Sequence, residues 1–131
     1  MKSLTLAGAI AIALIALSAV SASAHDLFGE TGKRWELGFD LEQKGDFDSA
    51  IIQYKQALQA VEKLNDPHLR ACALTGTVAR LEGARAGKLY IKTYGKASDS
   101  LSAALEESRN RFRQAMDKLD AEHPELANSC P

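Results

Sequence analysis

Proline is missing from the first 66 positions of this 131-residue chain and occurs only as Pro67, Pro124 and Pro131. Nothing in the first half therefore forbids an unbroken helix. Val and Ile are sparse and never alternate with polar residues over the length of a strand, which excludes half-buried sheet. Net charge is also lacking: 16 basic residues face 17 acidic ones. A balance of this kind argues against general nucleic-acid binding. No Gly-x-Ser-x-Gly, phosphate-cradling loop or His-Glu-x-x-His is present, so the usual nucleophile, nucleotide and zinc-peptidase motifs have no footing. Gly83-Ala84-Arg85-Ala86-Gly87 is a loose glycine pair, not a phosphate loop.

The one long apolar run, residues 4–20, follows Lys2 and ends in Ala22-Ser23-Ala24. A positive start, an apolar run and a small-x-small site predict a cleaved secretory signal over residues 1–24. An uncleaved membrane anchor is the rival reading, but no stop-transfer charges follow the run. No Cys follows the cleavage point to carry a lipid, and the natural address is a bacterial envelope, most simply the periplasm or the exterior. The remaining segment, residues 25–131, is 131 − 24 = 107 residues long. That length suits a single domain with one modest core. Exported chains keep disulfides, and the two cysteines, Cys72 and Cys130, fit one bridge tying the C-terminal tail to the helix that starts at Pro67.

Charge is unevenly spread. Residues 26–66 hold nine acids and five bases, residues 67–98 hold one acid and six bases, and residues 99–131 hold seven acids and four bases. The basic middle block either pairs with its acidic neighbours within the fold or offers a surface to anions.

Apolar spacing predicts helices throughout. The first spans about residues 27–44, with Phe28, Trp35 and Phe39 on one stripe and Leu37 and Leu41 on another. The second runs from Asp46 or Phe47 to about Leu64, with Asp46 as N-cap. Asp66-Pro67 opens a third, predicted to stop near Glu82 at a glycine break over residues 83–87. A short helical piece over residues 88–94 follows, then Gly95, then a long amphipathic helix over residues 98–121. That last helix carries Leu101, Leu105, Phe112, Met116 and Leu119 on one face, and Pro124 ends it.

Gly38 and Gly45 are seven residues apart, as are Gly76 and Gly83, and the two pairs are offset by 38. Around the first pair, "LGFDLEQKGDFDSAIIQYKQAL" resembles a tetratricopeptide repeat, a family that packs two antiparallel helices per unit. Leu37-Gly38 matches its Leu-Gly pair and Gly45-Asp46-Phe47 its turn. Ala50, Tyr54, Ala57 and Leu58 match the second-helix signature. Gly38 and Ala50 would let two backbones come close, while Phe47 and Tyr54 fill the space beside them. The likeness covers residues 33–64; residues 69–94 lack the aromatic and small positions a second copy needs. The fold it implies is all-α: antiparallel helix pairs forming a fragment of a repeat solenoid, closed by the long C-terminal helix as a cap.

In that family the first helix of each pair lines a concave groove. Carried onto this chain, the resemblance places Trp35, Phe39 and Glu42 in the groove from the first unit, and Arg70, Ala73, Thr77 and Arg80 from the second. Aromatics beside two arginines would seat a peptide with a carboxylate. An equal reading has Trp35 and Phe39 covering the first helix against Phe28. The implied function is a non-catalytic adaptor that docks another envelope protein or a peptide segment, acidic or ending in a free carboxylate. No cofactor, nucleic acid or stable membrane insertion is implied. A rival is a small-ligand or copper-binding protein that uses His25, the residue exposed by signal cleavage, or the Arg/Lys-rich middle segment. A third is a structural subunit that dimerises through exposed repeat ends. His68 and His123 are read as surface histidines beside prolines.

Overall fold

The computed structural model describes residues 24–131, with side chains from Asp26 onward. The expected signal segment and the side chain of His25 lie outside the described residues. Among the described residues four helices follow one another: α1 (Ala24–Gln43), α2 (Phe47–Ala60), α3 (Pro67–Tyr94) and α4 (Ser98–Glu122), with a 3-10 turn, Val61–Lys63, extending α2. No strand occurs among the described residues. α1 and α2 form one hairpin and α3 and α4 a second, joined by packing of α2 on α3. No helix among the described residues is long and apolar enough to cross a membrane.

Local chemistry accounts for the ends. Gly45 takes φ 80°, in the left-handed region that a side chain disfavours, and reverses the chain between α1 and α2. Asp46 then caps α2 by accepting from the Ser49 amide at 3.1 Å. Asp66 accepts from the amides of His68 and Leu69 at 2.8 and 3.4 Å, and Pro67 opens α3 where its missing N–H is not needed. Gly95 ends α3, its amide returning to the Ile91 carbonyl at 2.8 Å. α1 is interrupted once, at Gly29, whose φ of 56° and ψ of −128° bend the helix just after Phe28.

Two expectations are corrected. The glycine break over residues 83–87 does not exist, since α3 runs unbroken for 28 residues through Gly76, Gly83 and Gly87. These glycines are seven and eleven residues from the first, close to two and three whole turns, so they share one stripe. They are notches, not turns. A methyl at Gly83 would lie 2.7 Å from the Ser108 backbone oxygen of α4, and one at Gly87 would run into the Phe47 ring. At Gly76 it would lie 3.2 Å from the Trp35 ring. The second helix pair is thus α3 with α4, and the short piece over residues 88–94 is the last two turns of α3. Leu37, expected in the packing of the repeat, is 40% exposed. Tyr54 lies over Gly38 and fills that crossing, which turns the neighbouring side chain of α1 outward.

The other packing positions are interior. Phe47, Ala50, Tyr54 and Ala57 are buried with Phe28, Trp35, Ile51, Val61, Ala73, Leu81 and Ala84. The Cys72–Cys130 disulfide is present, with Cα atoms 5.6 Å apart across 58 positions of sequence. It holds the segment after α4 against the start of α3, where Leu126 adds to the core. Lys88 of the basic block pairs with Asp48 of the acidic one at 2.7 Å.

A cleft between the first and last helices

α1 and α4 lie side by side over α3 without closing the space between them, leaving a cleft of about 590 Å³. Helical periodicity builds both walls. Trp35, Phe39 and Glu42 recur along one stripe of α1, and Leu105, Ser108, Phe112 and Met116 along one face of α4. Arg80 and Gly83 of α3 and Tyr54 of α2 supply the floor. The notch at Gly83 brings the α4 backbone down onto α3, and so decides how deep the cleft is.

The floor is a polar network in a largely apolar frame. The Tyr54 hydroxyl donates to Glu42 Oε2 at 2.6 Å, and the Ser108 hydroxyl donates to Glu42 Oε1 at 2.7 Å. Both oxygens of a carboxylate buried to 9% exposure are therefore bonded, as burial of a charge requires. Trp35 Nε1 donates to Thr77 Oγ1 at 2.9 Å, and the Thr77 hydroxyl donates in turn to the Ala73 carbonyl at 2.7 Å.

Arg80 is the central group. Its guanidinium carbon lies 3.9 Å from the Trp35 ring centroid and 5.2 Å from that of Phe112. Aromatic faces at such distances hold a cation through their quadrupoles. Nη1 donates to the Gly76 carbonyl at 2.9 Å, and the other guanidinium nitrogens make no hydrogen bond to a described residue. Burial lowers the Arg80 pKa, opposed by Tyr54 and Glu42. Burial raises the Tyr54 pKa well above its ordinary 10.0, helped by the Glu42 charge and its hydrogen bond. The tyrosine thus stays a neutral donor to Glu42.

The rim is charged with opposite signs on its two sides. Glu36 and Asp40 stand on α1, and Arg109 and Arg113 on α4. Phe39, 56% exposed, forms the lip.

Four of the residues expected in a groove, Trp35, Phe39, Glu42 and Arg80, meet here. Of the two aromatics, Trp35 packs against Phe28 with ring centroids 5.0 Å apart, and Phe39 faces out. Three residues are placed otherwise, and Ala73 is one of them, fully buried in the core and absent from the cleft lining. Thr77 is fully buried beneath Trp35 and acts as its hydrogen-bond acceptor. Arg70 is not among the lining residues and donates to the Leu64 carbonyl at 3.0 Å. Ten residues fall about 80° short of three helical turns, enough to turn Arg70 toward the α2–α3 connection instead of beside Arg80. The α4 wall was missed, because its apolar stripe reads as core and Arg109 and Arg113 as a solvated face. Ser108, a polar residue between Leu105 and Phe112 on that stripe, was the available signal.

The arrangement offers apolar surface, a cation with unused donors and a fixed buried anion. No protein family, curated protein or solved structure shows significant similarity to this chain.

Proposed function

We propose that this chain is a non-catalytic binding module of the bacterial envelope, built on a hairpin like a tetratricopeptide unit, which seats a peptide segment of another protein in the α1–α4 cleft. The observation that carries the reading is Arg80, set over the Trp35 and Phe112 rings at the base of an apolar cleft with donors left over. An apolar side chain of the peptide would lie against Phe39, Leu105, Phe112 and Met116. A carboxylate, from an acidic residue or a free C-terminus, would accept from the unused N–H groups of Arg80. Arg109 and Arg113 at the rim favour the approach of an acidic segment. Glu42, tied to Tyr54 and Ser108, fixes the polar floor and spares it rearrangement when a ligand arrives. Export after removal of residues 1–24 belongs to the same proposal and rests on the apolar run and its Ala-x-Ala site.

Trp35 is the single tryptophan of the chain, so its emission reports on the cleft. The test is titration with short peptides that end in an apolar residue, in free-acid and amidated forms. The free acid should bind more tightly and perturb Trp35. By calorimetry, Arg80→Ala should weaken binding at least about tenfold and erase the preference for the free acid. Arg70→Ala should leave binding unchanged. Equal binding of both peptide forms by the wild type, or no change in Arg80→Ala, would overturn the reading.

A further inference from the structure

The Cys72–Cys130 bond does not stand alone. His68 lies one helical turn before Cys72 on α3, and its Nε2 is 3.7 Å from Cys72 Sγ. The same nitrogen donates to the Ser129 carbonyl at 2.9 Å, beside Cys130. The two sulfurs and a ring nitrogen of His68 all lie within 4.8 Å of one another. Two thiolates and an imidazole are the donor set of thiophilic d10 cations. Residues four apart on a helix present two of the ligands on one face without help from the rest of the fold.

The third ligand comes from the tail, whose position does not depend on the disulfide alone. Leu126 packs against the core, its amide bonds to the His123 carbonyl at 2.9 Å, and the Ser129 amide bonds to the Leu126 carbonyl at 3.1 Å. The Leu126 packing acts to keep Cys130 beside α3 when the sulfur–sulfur bond is opened, and the tail's own turns keep its shape. Zinc–sulfur bonds of about 2.3 Å in a tetrahedron set two sulfurs roughly 3.8 Å apart, a separation that rotation of the two cysteine side chains supplies.

We propose that reduction of the Cys72–Cys130 bond turns this corner into a site for a thiophilic d10 cation, Zn²⁺ or Cu⁺, held by Cys72 Sγ, Cys130 Sγ and His68 Nε2. A dithiol reductant delivers two electrons and two protons. The disulfide becomes two thiols, and the reductant leaves as its own disulfide. The cation then displaces both thiol protons and binds the two thiolates. Ligation needs His68 Nε2 without its proton, so the ring changes tautomer to Nδ1–H and the Ser129 carbonyl turns to water. Disulfide and cation are thus alternative staples of the same tail. His68 is exposed, which gives the cation a path in, and with Zn²⁺ the fourth position is open to water.

The test uses the full chain, oxidised and phosphine-reduced, titrated with Zn²⁺ against a chromophoric chelator, with Co²⁺ as spectroscopic surrogate and circular dichroism recorded alongside. Reduced protein should keep its helical signal, bind one Zn²⁺ per chain and show thiolate-to-cobalt charge transfer. Oxidised protein should bind none. Reduced His68→Ala, altered at an exposed position, should fold and bind at least about tenfold more weakly. Zn²⁺ should raise the melting temperature of the reduced wild type and not that of His68→Ala. Equal zinc affinity in the two redox states, no effect of His68→Ala, or loss of helical signal on reduction would each overturn the proposal.

Discussion

The two hairpins of this protein solve the same problem by opposite means. In α1–α2 the crossing is filled by an aromatic: the Tyr54 ring lies over Gly38, and its hydroxyl is tied to Glu42. In α3–α4 the crossing is filled by backbone. Gly83 admits the Ser108 main chain, flanked by buried Ala84 and Ala104. The first hairpin is short and capped by local signals. The second is long and unbroken, and α3 ends in an exposed stretch where Leu89 and Tyr94 are 64% and 65% exposed. A glycine in a helix has two quite different uses, then: to receive a side chain, or to receive another helix.

Five experiments sharpen or break this contrast. The largest effect belongs to the second hairpin's staple. Opening the loop closed by Cys72–Cys130, across 58 positions, should destabilise by up to roughly 4 kcal/mol on the chain-entropy model, measured by denaturant unfolding of Cys130→Ser without metal. A loss below about 1 kcal/mol would show that Leu126 and the tail turns hold that end unaided.

Next comes the first crossing. Ala50 is fully buried, so Ala50→Leu overpacks and should cost about 1–3 kcal/mol. An unchanged melting temperature would mean that the first crossing is not tightly packed at Ala50. Gly83→Ala sharpens the comparison through its sign. In an open helix the change stabilises by about 1 kcal/mol. Here the new methyl meets the α4 backbone, which cannot rotate away as a side chain could, so net destabilisation of about 1 kcal/mol is expected. Stabilisation would mean that the second crossing is looser than described.

The smallest effects are read against pH. The folded Tyr54 pKa is raised, so the native state favours the neutral hydroxyl. That contribution is complete below the ordinary value of 10.0 and is lost as pH rises above it. Melting temperature should fall more steeply above pH 10 in the wild type than in Tyr54→Phe. The cap of the same hairpin works in the other direction. Asp46 has a lowered pKa, chiefly through the Ser49 amide, and favours its charged form in the native state. Its contribution is present above 3.8 and fades as pH falls below it. The gap in melting temperature between wild type and Asp46→Ala should therefore close in acid.

The sequence by itself determined the helical class, the caps at Asp46 and Asp66, the turns at Gly45 and Gly95, the tight set Gly38, Phe47, Ala50, Tyr54 and Ala57, and the pairing of the two cysteines. These are local patterns, or matters of parity in the case of the cysteines, and a chain carries them wherever it goes. Only the tertiary structure decided that Gly83 is a notch, that Leu37 faces out, that Arg70 and Arg80 part company, and that α4 walls a cleft beside α1. Each of these depends on which helix lies opposite. Glycine at a turn and glycine at a crossing are the same letter, and what separates them is the Ser108 backbone arriving from 25 positions further along.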